Sequence, residues 1–175
     1  VKGNANHYNR YALGALSTLL DRETRFVLGQ AGGWIERETP LSRWLERFTS
    51  ARMEAPSQAD FALCLDGQSG VLLPELCQGT EAVPEDGATA FICVSELEDG
   101  PNRGGTVLEL QGPGIRESTT FTVRGLPTDT QRAIIATRRA YPLGVDVILI
   151  DGQGRCVGLP RTTRMSTVSV QMEAS

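Results

Sequence analysis

Apolar residues recur along this chain at two spacings, every three to four residues in some stretches, and every second residue or continuously in others. The first spacing marks helices and the second marks strands. In "TPLSRWLERF", Leu41, Trp44, Leu45 and Phe48 fall at i, i+3, i+4 and i+7. Thr39 stands where an N-cap belongs, and Pro40 takes the first helical position, where its missing N–H costs nothing. This is the clearest helix. A second is predicted over Tyr11 to Asp21, with Ala12, Leu13, Leu16, Leu19 and Leu20 near one face and Gly14 weakening it. In a third, Thr128 and Gln131 form a capping box, Ile134 and Ile135 pack inward, and Arg138 and Arg139 make a solvated cationic end.

Strands are predicted in "TRFVLG", "DFALCL" and "ATAFICVSEL". "TVLELQGPGI" and "TTFTVRGL" complete a run of three antiparallel strands, and a hairpin from Val147 to Leu159 and a last strand, "STVSVQM", close the chain. "GVLLPELCQGT" reads as a short helix or turn, and "EDGPNRGG" as an exposed turn. Gly112-Pro113-Gly114 and Asp151 to Gly154 read as tight turns. The first has neither the third glycine nor the βαβ context of a dinucleotide loop. Helices alternate with strands in the first half and a meander fills the second. The pattern predicts a single α/β domain over residues 1–175, with a mixed β-sheet covered by helices on both faces.

Composition narrows the chemistry more than the fold. At 175 residues, with 40% hydrophobic and 22% charged residues, the chain can bury a core without disulfides. No apolar run approaches the ~20 residues of a membrane span. A net charge of −4 argues against a nucleic-acid partner. The start, "VKGNANHYNR", reads as trimmed and carries no targeting pattern. The four cysteines include no C-x-x-C pair, and Cys64, Cys93 and Cys156 lie in strand-like runs that suit small buried thiols. Reduced cysteines in a cytoplasmic protein are expected.

Of 17 basic residues, Lys2 is the only lysine, and His7 is the only histidine. A Schiff-base lysine inside the fold, a P-loop, a Ser-His-Asp triad and a histidine-rich zinc site therefore have no residues to build them. No cofactor and no metal are expected. Self-contained catalysis would have to rest on carboxylates, arginines or a thiolate.

The candidate site lies where the hairpin's second strand ends, at Leu159-Pro160-Arg161-Thr162-Thr163. Pro160 ends strand pairing, and the hydroxyls of Thr162 and Thr163 can serve the backbone groups freed there. Arg161 needs a separate reason. It suits an internal carboxylate, Asp146 being the one ionised residue in "GVDVILI", or an anionic ligand, with the ion pair placed first. Arg138 and Arg139 could likewise clamp a phosphate.

Four segments, "GTEAVPEDGAT" (Gly79 to Thr89), "LELQGPGI" (Leu108 to Ile115), "YPLGVDVIL" (Tyr141 to Leu149) and "GLPRTT" (Gly158 to Thr163), resemble in order and spacing the PhnH family of the bacterial carbon–phosphorus lyase system. The resemblance covers Tyr11 to Val170. The family's N-terminal Phe-Arg helix and Met-x-x-Pro-Gly turn have no counterpart here. The resemblance implies the fold of a vestigial pyridoxal-phosphate-dependent transferase large domain without cofactor-binding residues. It implies a homodimer in isolation and a core complex with PhnG, PhnI and PhnJ. With PhnI as the catalytic partner, and PhnG and PhnL present, that system displaces adenine from MgATP with an alkylphosphonate. The product is α-D-ribose 1-methylphosphonate 5-triphosphate when the phosphonate is methylphosphonate. The family carries no established catalytic residue. Two roles follow, a contributor of binding contacts through Arg161, Thr162, Thr163 and Asp146, or a purely structural assembly subunit. Trp34 or Trp44 could anchor self-association, Trp44 also being read as core.

Overall fold

A computed structural model describes residues 8–168, which leaves Lys2, His7 and the end of the last predicted strand outside the described residues. The chain runs α1 (Arg10–Leu19), β1 (Arg25–Gln30), β2 (Gly33–Trp34), α2 (Pro40–Thr49), β3 (Arg52–Met53) and β4 (Phe61–Cys64). Next come β5 (Thr89–Cys93), β6 (Glu96–Asp99), β7 (Thr106–Gln111) and β8 (Thr119–Arg124). The chain then continues through α3 (Thr128–Ala136), β9 (Asp146–Ile150), β10 (Cys156–Leu159) and β11 (Arg164–Val168). A 3-10 helix, Gly67–Glu75, occupies the "GVLLPELCQGT" region.

Two sheets form where one mixed sheet was expected. The first has seven strands in the order β10-β9-β5-β4-β1-β2, with β3 also paired to β1. Its central pairs, β1 with β4, β4 with β5 and β5 with β9, are all parallel. The second is a four-stranded antiparallel sheet in the order β11-β7-β8-β6. The division falls at Val94-Ser95. Val94 N–H still donates to Ile150 in the first sheet, whereas Ser95 N–H donates to Arg124 in the second. The central parallel strands are buried almost without interruption (Phe26–Leu28, Ala62–Cys64, Ala90–Cys93), as strands flanked by helices must be. Cys64 and Cys93 belong to this core, but Cys156 on β10 is exposed, against the expectation of a buried thiol.

Helix α2 begins as the sequence predicts, with Thr39 Oγ1 accepting from Ser42 N–H and Pro40 in first place. Its apolar residues divide differently. Leu41 and Leu45 are buried, while Trp44 and Phe48 stay 47% and 67% exposed. Their rings stack on each other with centroids 5.2 Å apart, so Trp44 is not a core residue. Helix α3 departs further. The capping box does not form, because Pro127 and not Thr128 holds the N-cap position and Gln131 Nε2 donates to Leu126 O at 2.9 Å; Thr130 Oγ1 donates to Gly67 O at 2.6 Å. Ile134 is fully buried, but Ile135 faces solvent. Arg138 is not a solvated end, because its guanidinium turns back into the protein.

Asp151, at the β9–β10 turn, joins the two sheets. Its buried carboxylate accepts from Gln153 and Arg155 N–H within the turn, from Arg155 Nε, and from Leu97 N–H of β6 at 3.1 Å. Burial pushes this carboxyl up, but the converging donors outweigh it and hold it below its ordinary value.

Candidate functional site

Strand β1 lies between β3 and β4, so the chain leaves it to opposite sides. Open α/β sheets bind ligands outside the carboxyl ends of strands at such a point. A cavity of about 1070 Å³ lies there, lined by Ala31, Asp66, Gly67, Cys93 and Ser95 among others. Some of its donors are already engaged by the chain's own carboxylate. Asp66 caps the 3-10 helix, accepting from Ser69 N–H and Oγ at 2.8 Å each, and its other oxygen accepts from Ala31 N–H at 2.7 Å. Burial raises the Asp66 carboxyl, yet these bonds hold it below the usual range, so the chain's own carboxylate fills the cradle. Burial also pushes the Cys93 thiol up to about 12 and that of Cys64 higher still, which keeps both out of thiolate chemistry.

The residues singled out at the strand end lie at the opposite end of the sheet, where β9 begins with Asp146. Arg161 and Asp146 meet as an internal pair. Nη2 and Nε donate to Asp146 at 2.8 and 3.2 Å, and Arg161 N–H donates to the same carboxylate at 2.7 Å. Burial raises Asp146, and the Arg161 side-chain and backbone bonds, with the charges of Arg161 and Arg138, more than reverse it and hold its pKa below the ordinary value. The remaining Arg161 donors reach Pro84 O at 2.7 Å and, more weakly, Pro142 O and Gly87 O. Gly87 must stay small, since a Cβ there would lie 2.4 Å from Gly144 O and 2.6 Å from Arg161 Nη1. The four segments that carry the family resemblance therefore converge. Gly79–Thr89 supplies carbonyls to Arg161, Tyr141–Leu149 supplies Asp146, and Gly158–Thr163 supplies Arg161 itself. Leu108–Ile115 brings Gly112 against Thr163.

Beside this pair opens a second cavity of about 570 Å³. Arg138, Arg139, Arg161 and Arg164 line it, with Thr162, Thr163 and Tyr141 and an apolar wall of Pro113, Ile135 and Met165. Arg138 follows α3 and ties together the ends of two strands. Nη2 donates to Leu159 O at 2.8 Å and Nη1 to Thr163 O at 2.9 Å. Its Nε is buried without a partner. Burial pushes the Arg138 guanidinium down to about 10, and Asp146 acts weakly against that. Thr163 is buried with its N–H bonded to Pro160 O, as a strand-end turn requires, while Thr162 is exposed. Of the residues in this cavity, Arg138 as a half-buried cation was the one that sequence reasoning missed. Only the return of β10 and β11 to the end of α3 gives it its acceptors.

Comparison with known proteins gives a consistent assignment. The family model described as "Bacterial phosphonate metabolism protein (PhnH)" matches residues 2–166. The chain is 35% identical over 117 residues to HtxG of Stutzerimonas stutzeri, which is named as a candidate C-P lyase subunit protein. That alignment spans 67% of this chain and 54% of HtxG, about half the relative's length. Over 156 residues it is 28% identical to the subunit PhnH of alpha-D-ribose 1-methylphosphonate 5-triphosphate synthase of Rhizobium meliloti (strain 1021), spanning 88% of this chain and 73% of that protein. The extent of the family match, and the meeting of all four family-like segments around Arg161, lead to one assignment: this chain belongs to the PhnH family of bacterial phosphonate-metabolism proteins.

Proposed function

We propose that this chain serves as the PhnH-type subunit of a C–P lyase core complex with PhnG, PhnI and PhnJ. There it supports formation of α-D-ribose 1-methylphosphonate 5-triphosphate from MgATP and an alkylphosphonate, with release of adenine. The observation that carries the reading is the alignment, over 88% of the chain, with a subunit named for that synthase. A supporting and non-catalytic role fits the side-chain chemistry. Cys64 and Cys93 are held as thiols by burial, and Asp146 is bonded to Arg161. The wider fold reading is a pyridoxal-phosphate-transferase large domain without its cofactor. A visible band of bound pyridoxal phosphate in the purified protein would contradict it.

On its own the chain is proposed to be a homodimer, with the exposed Trp44–Phe48 stack as its apolar contact. Sedimentation that shows only monomer at micromolar concentration would remove that claim. A cytoplasmic location goes with the four free cysteines. A second reading, assembly without ligand contact, is favoured by the inward direction of the Arg161 donors. One reconstitution tests both. PhnG, PhnI and PhnJ are purified with and without this chain, and co-purification and adenine release are measured on the same material. Normal assembly and turnover without the chain would reject both readings. Assembly that requires the chain, with adenine release indifferent to Arg139→Gln and Arg164→Gln, would leave the second.

A further inference from the structure

The cavity beside the Arg161–Asp146 pair gathers cations without gathering carboxylates. Of its four arginines, only Arg161 has an ion-pair partner among the described residues. Arg138, Arg139 and Arg164 make no salt bridge within 4 Å there. Glu109 is the nearest carboxylate along that face of β7, opposite Ser166, and it does not reach Arg164. Arg139 and Arg164 are exposed and cost little to leave unpaired. Arg138 is different. The residue is half-buried, its Nε is buried with no acceptor, and its two other nitrogens meet neutral carbonyls only. Asp146 acts on it only through space and is itself bonded to Arg161, so Arg138 keeps a partly buried charge that no carboxylate among the described residues contacts directly. A bound anion would supply that contact.

We propose that this cavity binds a phosphorus oxyanion carried on a small organic group, with Arg138 as the half-buried counter-charge and Arg139 and Arg164 closing over the anion from the rim. Three guanidinium groups suit a dianion or polyanion with several oxygens better than a single carboxylate, because arginine forks match phosphoryl and phosphonyl geometry. The apolar wall of Pro113, Ile135 and Met165, with the exposed Tyr141 ring, gives the organic portion somewhere to rest. A volume of about 570 Å³ is in the range of small-molecule sites and larger than a bare phosphate needs. Arg161 stays a positioning residue, holding the Pro160–Thr163 turn through Asp146. The choice of phosphorus over carboxylate rests on the phosphonate-metabolism reading, and the anion site itself rests on the geometry alone.

The test is calorimetric titration of the isolated full chain, at fixed ionic strength, with inorganic phosphate, methylphosphonate, adenosine triphosphate and malonate. The expected result is saturable binding of at least one phosphorus anion. Arg139→Gln and Arg164→Gln, on the exposed rim, should each weaken it about tenfold, the loss of one charge-assisted contact, with the melting temperature unchanged. Arg138→Met should abolish it. If that variant fails to fold, the two rim variants decide. The tightest arm tells whether the ligand is a phosphonate or a nucleotide. Equal or tighter binding of malonate would overturn the ligand class. Absence of saturable binding by any of the four at millimolar concentration, or binding indifferent to both rim substitutions, would overturn the site. Failure here with adenine release still dependent on the chain leaves the proposed function standing. Binding here with turnover indifferent to the chain does the reverse.

Discussion

Arg161 donates its backbone N–H and side chain to acceptors on two other segments of the chain, and its side chain is only 12% exposed. Removing one member of a fully buried pair costs about 3–5 kcal/mol. The Asp146 side chain is 36% exposed, so water recovers part of that, and Arg161→Ala should cost about 2–3 kcal/mol by urea unfolding at neutral pH. The acid dependence has a definite sign. The folded pKa of Asp146 lies below the unfolded one, so the unfolded chain takes up more protons as pH falls. The pair's contribution is complete above the ordinary carboxylate value of about 3.9 and is lost as pH drops through the lower folded value. Unfolding followed from about pH 6 to about pH 2 should therefore show a shallower acid limb in the variant than in the parent. An equal slope in both would show that Asp146 draws nothing from Arg161. The pairing was legible in the sequence, since a lone carboxylate in an apolar strand and an arginine at the partner strand's end are natural counterparts. Arg138 was not legible, because an arginine after a helix reads as solvated until the chain returns to cover it.

At the scale of elements, α2 and α3 make an instructive contrast. The cap of α2 is local, a threonine and a proline serving N–H groups within one turn, and local chemistry can be read from spacing. In α3 the expected cap, Thr128 with Gln131, loses Gln131 to Leu126 O just before the helix, while Thr130 bonds Gly67 far along the chain, and such a tertiary partner leaves no mark in neighbouring residues. Helix α2 also shows the limit of a periodic pattern. Leu41, Trp44, Leu45 and Phe48 share a stripe too wide for the one surface that receives it, so the helix buries the leucines and turns the aromatic edge outward. Leu45→Ala should cost about 3 kcal/mol, as large-to-small changes in a filled core do. At dilutions where the chain is monomeric, Phe48→Ala should cost no more than about 1 kcal/mol, the worth of a stacked pair at the surface. Thermal unfolding of the two variants checks both numbers. A large loss from Phe48→Ala in the isolated chain would place that ring in a buried contact, as a dimer would.

The whole molecule is built by a chain that changes sheet three times, after β5, between β8 and β9, and between β10 and β11. The continuous apolar runs announced covered strands, but "ATAFICVSEL", expected in an antiparallel run, supplies the parallel β5 as well as the antiparallel β6. They could not announce the second sheet, because "AFICVSEL" has no glycine or proline at Val94-Ser95, where the partner changes. Neither sheet is a contiguous piece of chain. The exposed turn from Pro101 to Gly104 divides it so that the first part holds β1 to β6 and the second holds β7 to β11. The seam would then run through both sheets at once. β5 meets β9 over five paired residues in one, and β6 meets β8 over four in the other. Asp151 and Leu97 lie on opposite sides of it. Such halves are natural candidates for complementation. Expressed as separate polypeptides, residues 1–102 and 103–175 should each remain unfolded alone, and regain a common circular-dichroism spectrum and cooperative melting when mixed. Two halves that fold independently would mean that the sheets are separable units. Recovery on mixing would make this turn a place where the protein can be opened, labelled on one side and closed again.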